Sequence, residues 1–266
     1  VFFNSYTRER FRPEMLRELD LAAHLICDMV TQELASVRVL LAALKSACHL
    51  VHERDPETGS HLNRMARFSR VIARQLAGSG KYSINDEYIE RIFFFAPLHD
   101  VGKIGIPDEV LRKPGKLSAE EFEVMKAHTI IGMKIVDDII TNFGFSSFEG
   151  VDVLRNIAGF HHEKVNGTGY PMGFKGDQIP LEARIVAVAD IFDALTSPRT
   201  YKHAWSNDEA LEVLNSLANI ELDRDCVEAL TLCREKVEEI QMRFQEQGTS
   251  AACSETGTGQ AALQRN

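Results

Sequence analysis

Helical signals recur along this chain and strand signals do not: apolar residues return at spacings of three and four, the period of a helix face. The pattern predicts an all-α fold. From about residue 14 to 53 the run is nearly free of breakers, with Pro13 where a helix can begin. Within it Met15, Leu19, Ala22, Ile26 and Met29 alternate spacings of four and three, the seam of a coiled coil, until Glu33 and Ser36 interrupt it. Two roles stay open for this segment: a helix packed on its own domain, or one that dimerises or relays a signal.

Further along, Ser118 with Glu121 and Ser206 with Glu209 have the capping-box spacing that opens a helix. Pro180 heads another helical run, PLEARIVAVADIFDALT. Loops rich in Gly, Pro and small polar residues fall at GSGKYS (78–83), IPDEVLRKPGKLS (106–118) and VNGTGYPMGFKGDQ (165–178). The predicted organisation is an N-terminal helical linker or dimerisation segment over 1–45, one helical domain over 46–246, and a disordered tail over 247–266. That tail lacks the bulky apolar residues needed to order it.

Composition adds limits. At 266 residues, 44% hydrophobic and 26% charged, the chain can bury a proper core and reads as soluble and globular. No apolar run approaches a membrane span and no secretory signal is present. The chain starts at Val1, so a longer protein with an upstream sensor or anchor is expected. Five cysteines without a C-x-x-C spacing suggest reduced thiols in a cytoplasmic setting. A net charge of −9 argues against DNA as a partner, and an anionic substrate would need a local positive site.

Candidate chemistry concentrates in histidines and acids. Glu57 and His61 lie four apart in ETGSH and share a helical face; HDVGK supplies His99, Asp100 and Lys103. His128 falls inside the helix capped by Ser118, and FHHEKVNGTGYP contributes the adjacent His161 and His162. Neighbours on a helix point about 100° apart, so that pair suits two adjacent ions better than one. Asp190 interrupts the apolar run IVAVADIFDAL, where a buried carboxylate needs a partner, and a cation would serve. Taken singly, each has an innocent explanation as a solvated face or a satisfied core group. Together, imidazoles and carboxylates without thiolate suit iron, manganese, nickel or zinc. Asp100, with two oxygens and His99 beside it, is the natural bridging ligand. Asp193 and Thr196 follow Asp190 at helical intervals, to orient ligands or to cap and pair locally.

The order H…HD…H…HH…D followed by GYP resembles the HD-GYP family of the HD phosphohydrolase superfamily. The likeness spans roughly residues 50 to 240 and is carried by HDVGKIGIPDEVL, FHHEKVNGTGYP and PLEARIVAVADIFDALTS. It implies an HD-domain helical core with an HD-GYP extension and a long N-terminal helix. It also implies hydrolysis of cyclic di-GMP to linear pGpG, GMP or both, by a hydroxide held between metal ions. Carried over by position, the resemblance makes His61, His99, Asp100, His128, His161, His162 and Asp190 metal ligands. Glu57 matches a glutamate that helps hold a third ion in some members, so the centre is expected to be di- or trinuclear, iron first and manganese next. Asp100 and Lys103 are the expected catalytic residues; Lys103, Tyr170, Arg199 and Lys202 match positions that meet the nucleotide.

Further cations at Arg112, Lys113, Lys116, Lys164 and Lys175 would make the entrance positive. The sequence departs from the family at Asn166, where aspartate is usual, and at Thr200, where proline is common between Arg199 and Tyr201. Neither removes a ligand. The implied setting is a cytoplasmic protein, or the cytoplasmic part of a membrane-anchored bacterial signalling protein. Expected partners are a second copy joined through the N-terminal helix, an upstream sensor or receiver region, and signalling proteins. Two rivals remain: a phosphodiesterase for another cyclic dinucleotide such as cyclic GMP-AMP, and a non-catalytic receptor or scaffold, whose mark would be a lost ligand.

Overall fold

A computed structural model describes residues 13–52, 59–143, 150–198 and 204–244. Contacts divide the chain into two units, Val1–Ala47 and Cys48–Asn266. The breaker-free run is one helix, α1 (Pro13–His52). Of its expected seam, Met15, Ile26 and Met29 are exposed and Leu19 and Ala22 half-buried.

The second unit continues with α2 (Gly59–Gly78), α3 (Asp86–Phe95), the single turn α4 (Asp108–Leu111), α5 (Ala119–Phe143) and α6 (Val151–Phe160). It closes with α7 (Leu181–Thr196), α8 (Asn207–Leu217), α9 (Arg224–Leu232) and α10 (Arg234–Arg243). No strand occurs among the described residues, which hold only isolated bridges at Asn166–Lys175 and Ala218–Leu222. The fold is all-α, as the periodicity predicts. No helix among the described residues is long and apolar enough to cross a membrane.

Local chemistry explains the helix starts. The Ser118 amide donates to Glu121 at 2.7 Å while the Glu121 amide donates to the Ser118 hydroxyl at 3.2 Å. Ser206 and Glu209 repeat that exchange at α8, and Asn85 opens α3 by accepting from the Tyr88 amide at 2.8 Å. Pro180 precedes α7, where a missing N–H costs nothing.

α2 buries Met65, Phe68, Ile72 and Leu76 along one stripe. α7 is apolar nearly all round and accordingly lies in the core, with Ile185, Val186, Val188, Ala189 and Phe192 buried. Phe68 and Phe192 meet edge to face, ring centres 5.4 Å apart, and join the two helices. Each such buried side chain contributes about 2 kcal/mol of transfer free energy. Buried Glu182 ties α3, α6 and α7 together, accepting from the Tyr88 hydroxyl at 2.6 Å and the Asn156 amide at 2.7 Å.

One close approach sets the site. The 3-10 turn Val101–Gly105 lies on α5 so tightly that a Cβ on Gly102 would fall 1.9 Å from the His128 carbonyl oxygen and 2.5 Å from the Gly132 nitrogen. Both are main-chain atoms that cannot swing aside, so only glycine fits.

Candidate metal centre

Five elements deliver the side chains. His61 stands in the first turn of α2, and His128 in the middle of α5. His99 and Asp100 occupy the junction between the 3-10 turns Ala96–Leu98 and Val101–Gly105. His161 and His162 end α6, and Asp190 lies on α7. All are buried except His162, which is half-buried.

Four of the imidazoles are anchored through Nδ1. His99 bonds to the Ala96 carbonyl at 2.9 Å, His128 to Met125 at 2.7 Å and His161 to Ile157 at 2.9 Å. His61 bonds to the Asp193 carboxylate at 2.7 Å. Carbonyl and carboxylate oxygens only accept, so Nδ1 carries a proton and each ring turns Nε2 inward. Those nitrogens meet acids. Asp100 Oδ1 lies 3.3 Å from His128 Nε2 and 3.7 Å from His161 Nε2, while its Oδ2 lies 3.2 Å from His99 Nε2. Asp190 Oδ1 is 3.9 Å from His61 Nε2 and 4.0 Å from His99 Nε2.

Ligand atoms accordingly gather into two groups, each within 4.8 Å: Asp100, His128, His161 and His162 in one, and His61, His99 and Asp190 in the other. Asp100 turns one oxygen to each. Charge and satisfaction both suit a cation here. The buried Asp100 Oδ1 has no hydrogen-bond partner, and the His128 and His161 Nε2 atoms lie 3.5 Å apart beside it. Burial pushes the His128 ring down to about 4 and holds His162 well below the ordinary imidazole range, the neighbouring histidines adding to both. Burial works to raise the Asp100 carboxyl, but Lys103, His99 and His161 outweigh it and hold it well below the usual carboxylate range. His128, His162 and Asp100 are therefore in the forms a metal binds.

His161 and His162 both offer atoms to the same group, where helical spacing suggested one ion each. α6 ends at Phe160 with His161 as its C-cap, and the two ring centres are 4.1 Å apart.

Around the groups, Lys103 places its ammonium 2.8 Å from Asp100 Oδ2. Tyr170 lies over His162, ring centres 4.8 Å apart, with its amide bonded to the His162 carbonyl at 3.2 Å. Burial, with Asp100 nearby, raises its phenol far above the ordinary value, so it stays a proton donor. Asn166 keeps its loop turned by accepting from the Thr168 amide at 2.9 Å and hydroxyl at 2.7 Å, a job any Asx oxygen does. Lys113 and Lys164 pair with Glu121 and Glu221, which reduces what they add to a positive entrance. Glu57, Arg199, Thr200 and Lys202 lie outside the described residues.

Two supports escaped the sequence reading. Glu163 is a buried carboxylate that accepts main-chain N–H bonds from Met172 at 2.7 Å, Gly173 at 3.1 Å and Phe174 at 3.0 Å, and so pins the loop carrying Tyr170. Arg64, three residues after His61, is buried against Asp193 at 2.6 Å. The only available signal was a charge on the buried stripe of α2. Thr196 bonds to its own helix at the Phe192 carbonyl, the local alternative.

A family model described as the HD domain matches residues 45–226. The chain belongs to the HD domain family. Its Gly169-Tyr170-Pro171 loop, beside the ligand groups, makes it an HD-GYP member. This HD domain is 43% identical over 206 residues to a cyclic di-GMP phosphodiesterase of Vibrio cholerae, covering 77% of this chain and 42% of that protein. It is 42% identical over 201 residues to the cyclic di-GMP phosphodiesterase response regulator RpfG of Xanthomonas campestris, covering 76% of this chain and 50% of that one. A third relative, the 3'3'-cGAMP-specific phosphodiesterase 2 of Vibrio cholerae, is 37% identical over 180 residues, covering 68% of this chain and 32% of its own length. The chain thus spans half or less of each of these relatives.

Proposed function

We propose that this HD domain hydrolyses a phosphodiester bond of a cyclic dinucleotide, with cyclic di-GMP the first substrate and linear pGpG, GMP or both the product. The observation that carries the reading is Asp100, which turns Oδ1 to His128 and His161 and Oδ2 to His99. Such a carboxylate joins two adjacent cation sites, the arrangement that phosphoester chemistry uses. Ions held there would supply Lewis acidity and a nucleophile at neutral pH. His61, His99 and Asp190 would hold one ion; Asp100, His128, His161 and His162 its neighbour. Glu57 would add a third. Iron is the first metal to test and manganese the second, since imidazole and carboxylate donors suit both.

The remaining roles belong to the chain's own residues. Lys103, already beside Asp100, brings positive charge to the phosphate and to the leaving oxygen. Tyr170 stacks at the His162 edge and offers a phenol to phosphate or a ring to guanine. Arg199 supplies a fork and Lys202 a point charge for the same anion. The domain is read as residues 46–246 of a longer cytoplasmic signalling protein, joined to a second copy through α1. The exposed Met15, Ile26 and Met29, at coiled-coil spacing, support that joining.

A second substrate has a specific observation in its favour, the 37% identity to a relative named for 3'3'-cGAMP. One experiment addresses both. Protein purified without oxygen is loaded with Fe2+ or Mn2+, and products from cyclic di-GMP and from cyclic GMP-AMP are separated by chromatography. Faster conversion of cyclic di-GMP is expected. Preference for cyclic GMP-AMP would move the substrate assignment, and no conversion of either by metal-replete protein would refute hydrolysis.

A further inference from the structure

Three of the four anchored imidazoles rest on main-chain carbonyls, and one, His61, rests on a carboxylate. Asp193 is 1% exposed, and both its oxygens are engaged. Oδ1 accepts from Arg64 Nε at 2.6 Å; Oδ2 accepts from His61 Nδ1 at 2.7 Å, Arg64 Nη2 at 3.0 Å and the Ser197 hydroxyl at 3.1 Å. Arg64 is itself held, donating to the Ser197 hydroxyl at 2.7 Å and the Phe244 carbonyl at 3.0 Å. These residues come from two packed helices in matched register. α2 supplies a candidate ligand at His61 and a support at Arg64; α7 supplies a candidate ligand at Asp190 and a support at Asp193, with Ser197 as its C-cap.

We propose that Asp193, clamped by Arg64, is a positioning residue for the His61 half of the metal centre, fixing that ring with Nε2 inward and strengthening it as a donor. The proposal rests on the metal-centre reading above and makes it asymmetric. An anion hydrogen-bonded to one imidazole nitrogen increases the basicity of the other, which a neutral carbonyl does less. Asp193 lies on the Nδ1 side of His61, away from Nε2, and the Arg64 fork and the Ser197 hydroxyl engage its two oxygens there, so it supports the ring from behind. The consequence is specific. Loss of the carboxylate weakens the ion at His61, His99 and Asp190 and spares the ion at Asp100, His128, His161 and His162.

The test uses the full chain, stripped with a chelator and titrated with Mn2+ by calorimetry and by the electron paramagnetic resonance of free Mn2+. Wild type is expected to bind two ions tightly. Asp193→Asn is expected to keep one at wild-type affinity and to bind the other about 10–100-fold more weakly. Excess Mn2+ then restores kcat with KM for the dinucleotide unchanged, which a merely structural role would not produce. Where Asp193→Asn fails to fold because Arg64 is left without its counter-charge, the double variant Asp193→Asn, Arg64→Gln carries the same comparison. Equal weakening of both ions, or two tight ions in wild type and variant alike, would overturn the proposal alone. A wild-type chain that takes up no Mn2+ would overturn the metal reading and the proposal with it.

Discussion

Burial lowers the proton affinity of the His128 and His162 rings, and that has a cost in acid. The His128 ring titrates near 4 in the folded chain against an ordinary 6.5, chiefly through burial. Between those values the unfolded chain takes up a proton that the folded chain refuses, so stability falls as pH falls. The metal-free protein should therefore be at full stability above about pH 6.5 and lose about 3 kcal/mol through His128 on the way to pH 4. His162 shifts the same way and carries the loss lower. Urea unfolding of chelator-treated protein across that range measures it; a flat profile would contradict the burial of these rings. Asp190 stood out in the sequence because a carboxylate inside an apolar run is costly without a partner, whereas the other candidate ligands were legible only through the resemblance to the HD-GYP family. Arg64 and Glu163 were not, since a charge acquires its meaning only from the partner that folding brings, here Asp193 from α7 and the amides of Met172–Phe174.

Elements carry the ligands to one place, and their ends matter more than their middles. The capping boxes at Ser118 and Ser206 were readable because side chain and amide partner are three residues apart. The end of α6 was not, because FHHEKV has no Gly or Pro before Gly167 to mark where the helix stops. Gly102 shows the same limit, because its need for a bare Cα comes from α5, packed across it from a later stretch of chain. Gly102→Ala should lower stability by about 1–3 kcal/mol through overpacking against main-chain atoms. It should also weaken metal binding, since the strain falls between Asp100 and His128. Denaturant midpoints and Mn2+ titration report the two effects. A variant with wild-type stability would mean the turn and α5 are not in that contact.

At the scale of the whole molecule, an excess of acids, 39 against 30 Lys and Arg, accompanies a site proposed to take an anionic dinucleotide. Metal ions and Lys103 at the centre must supply the local positive charge, and stripping the ions should abolish substrate binding as well as turnover. The seam on α1 makes a separate claim. Ile26→Glu with Met29→Glu should convert a dimer into a monomer in sedimentation equilibrium; a monomeric wild type would remove α1 as a joining helix. Helix content and the family were legible because periodicity and long motifs survive in sequence, whereas association depends on surfaces that a pattern only suggests. The most direct measurement is elemental analysis of protein purified without oxygen, wild type beside Asp100→Ala, with hydrolysis of cyclic di-GMP followed in the same samples. At least two ions per wild-type chain are expected, three if Glu57 contributes, with the joined centre and turnover lost in the variant at unchanged helix content. Full hydrolysis by metal-depleted Asp100→Ala, or an active wild type without metal, would contradict the account.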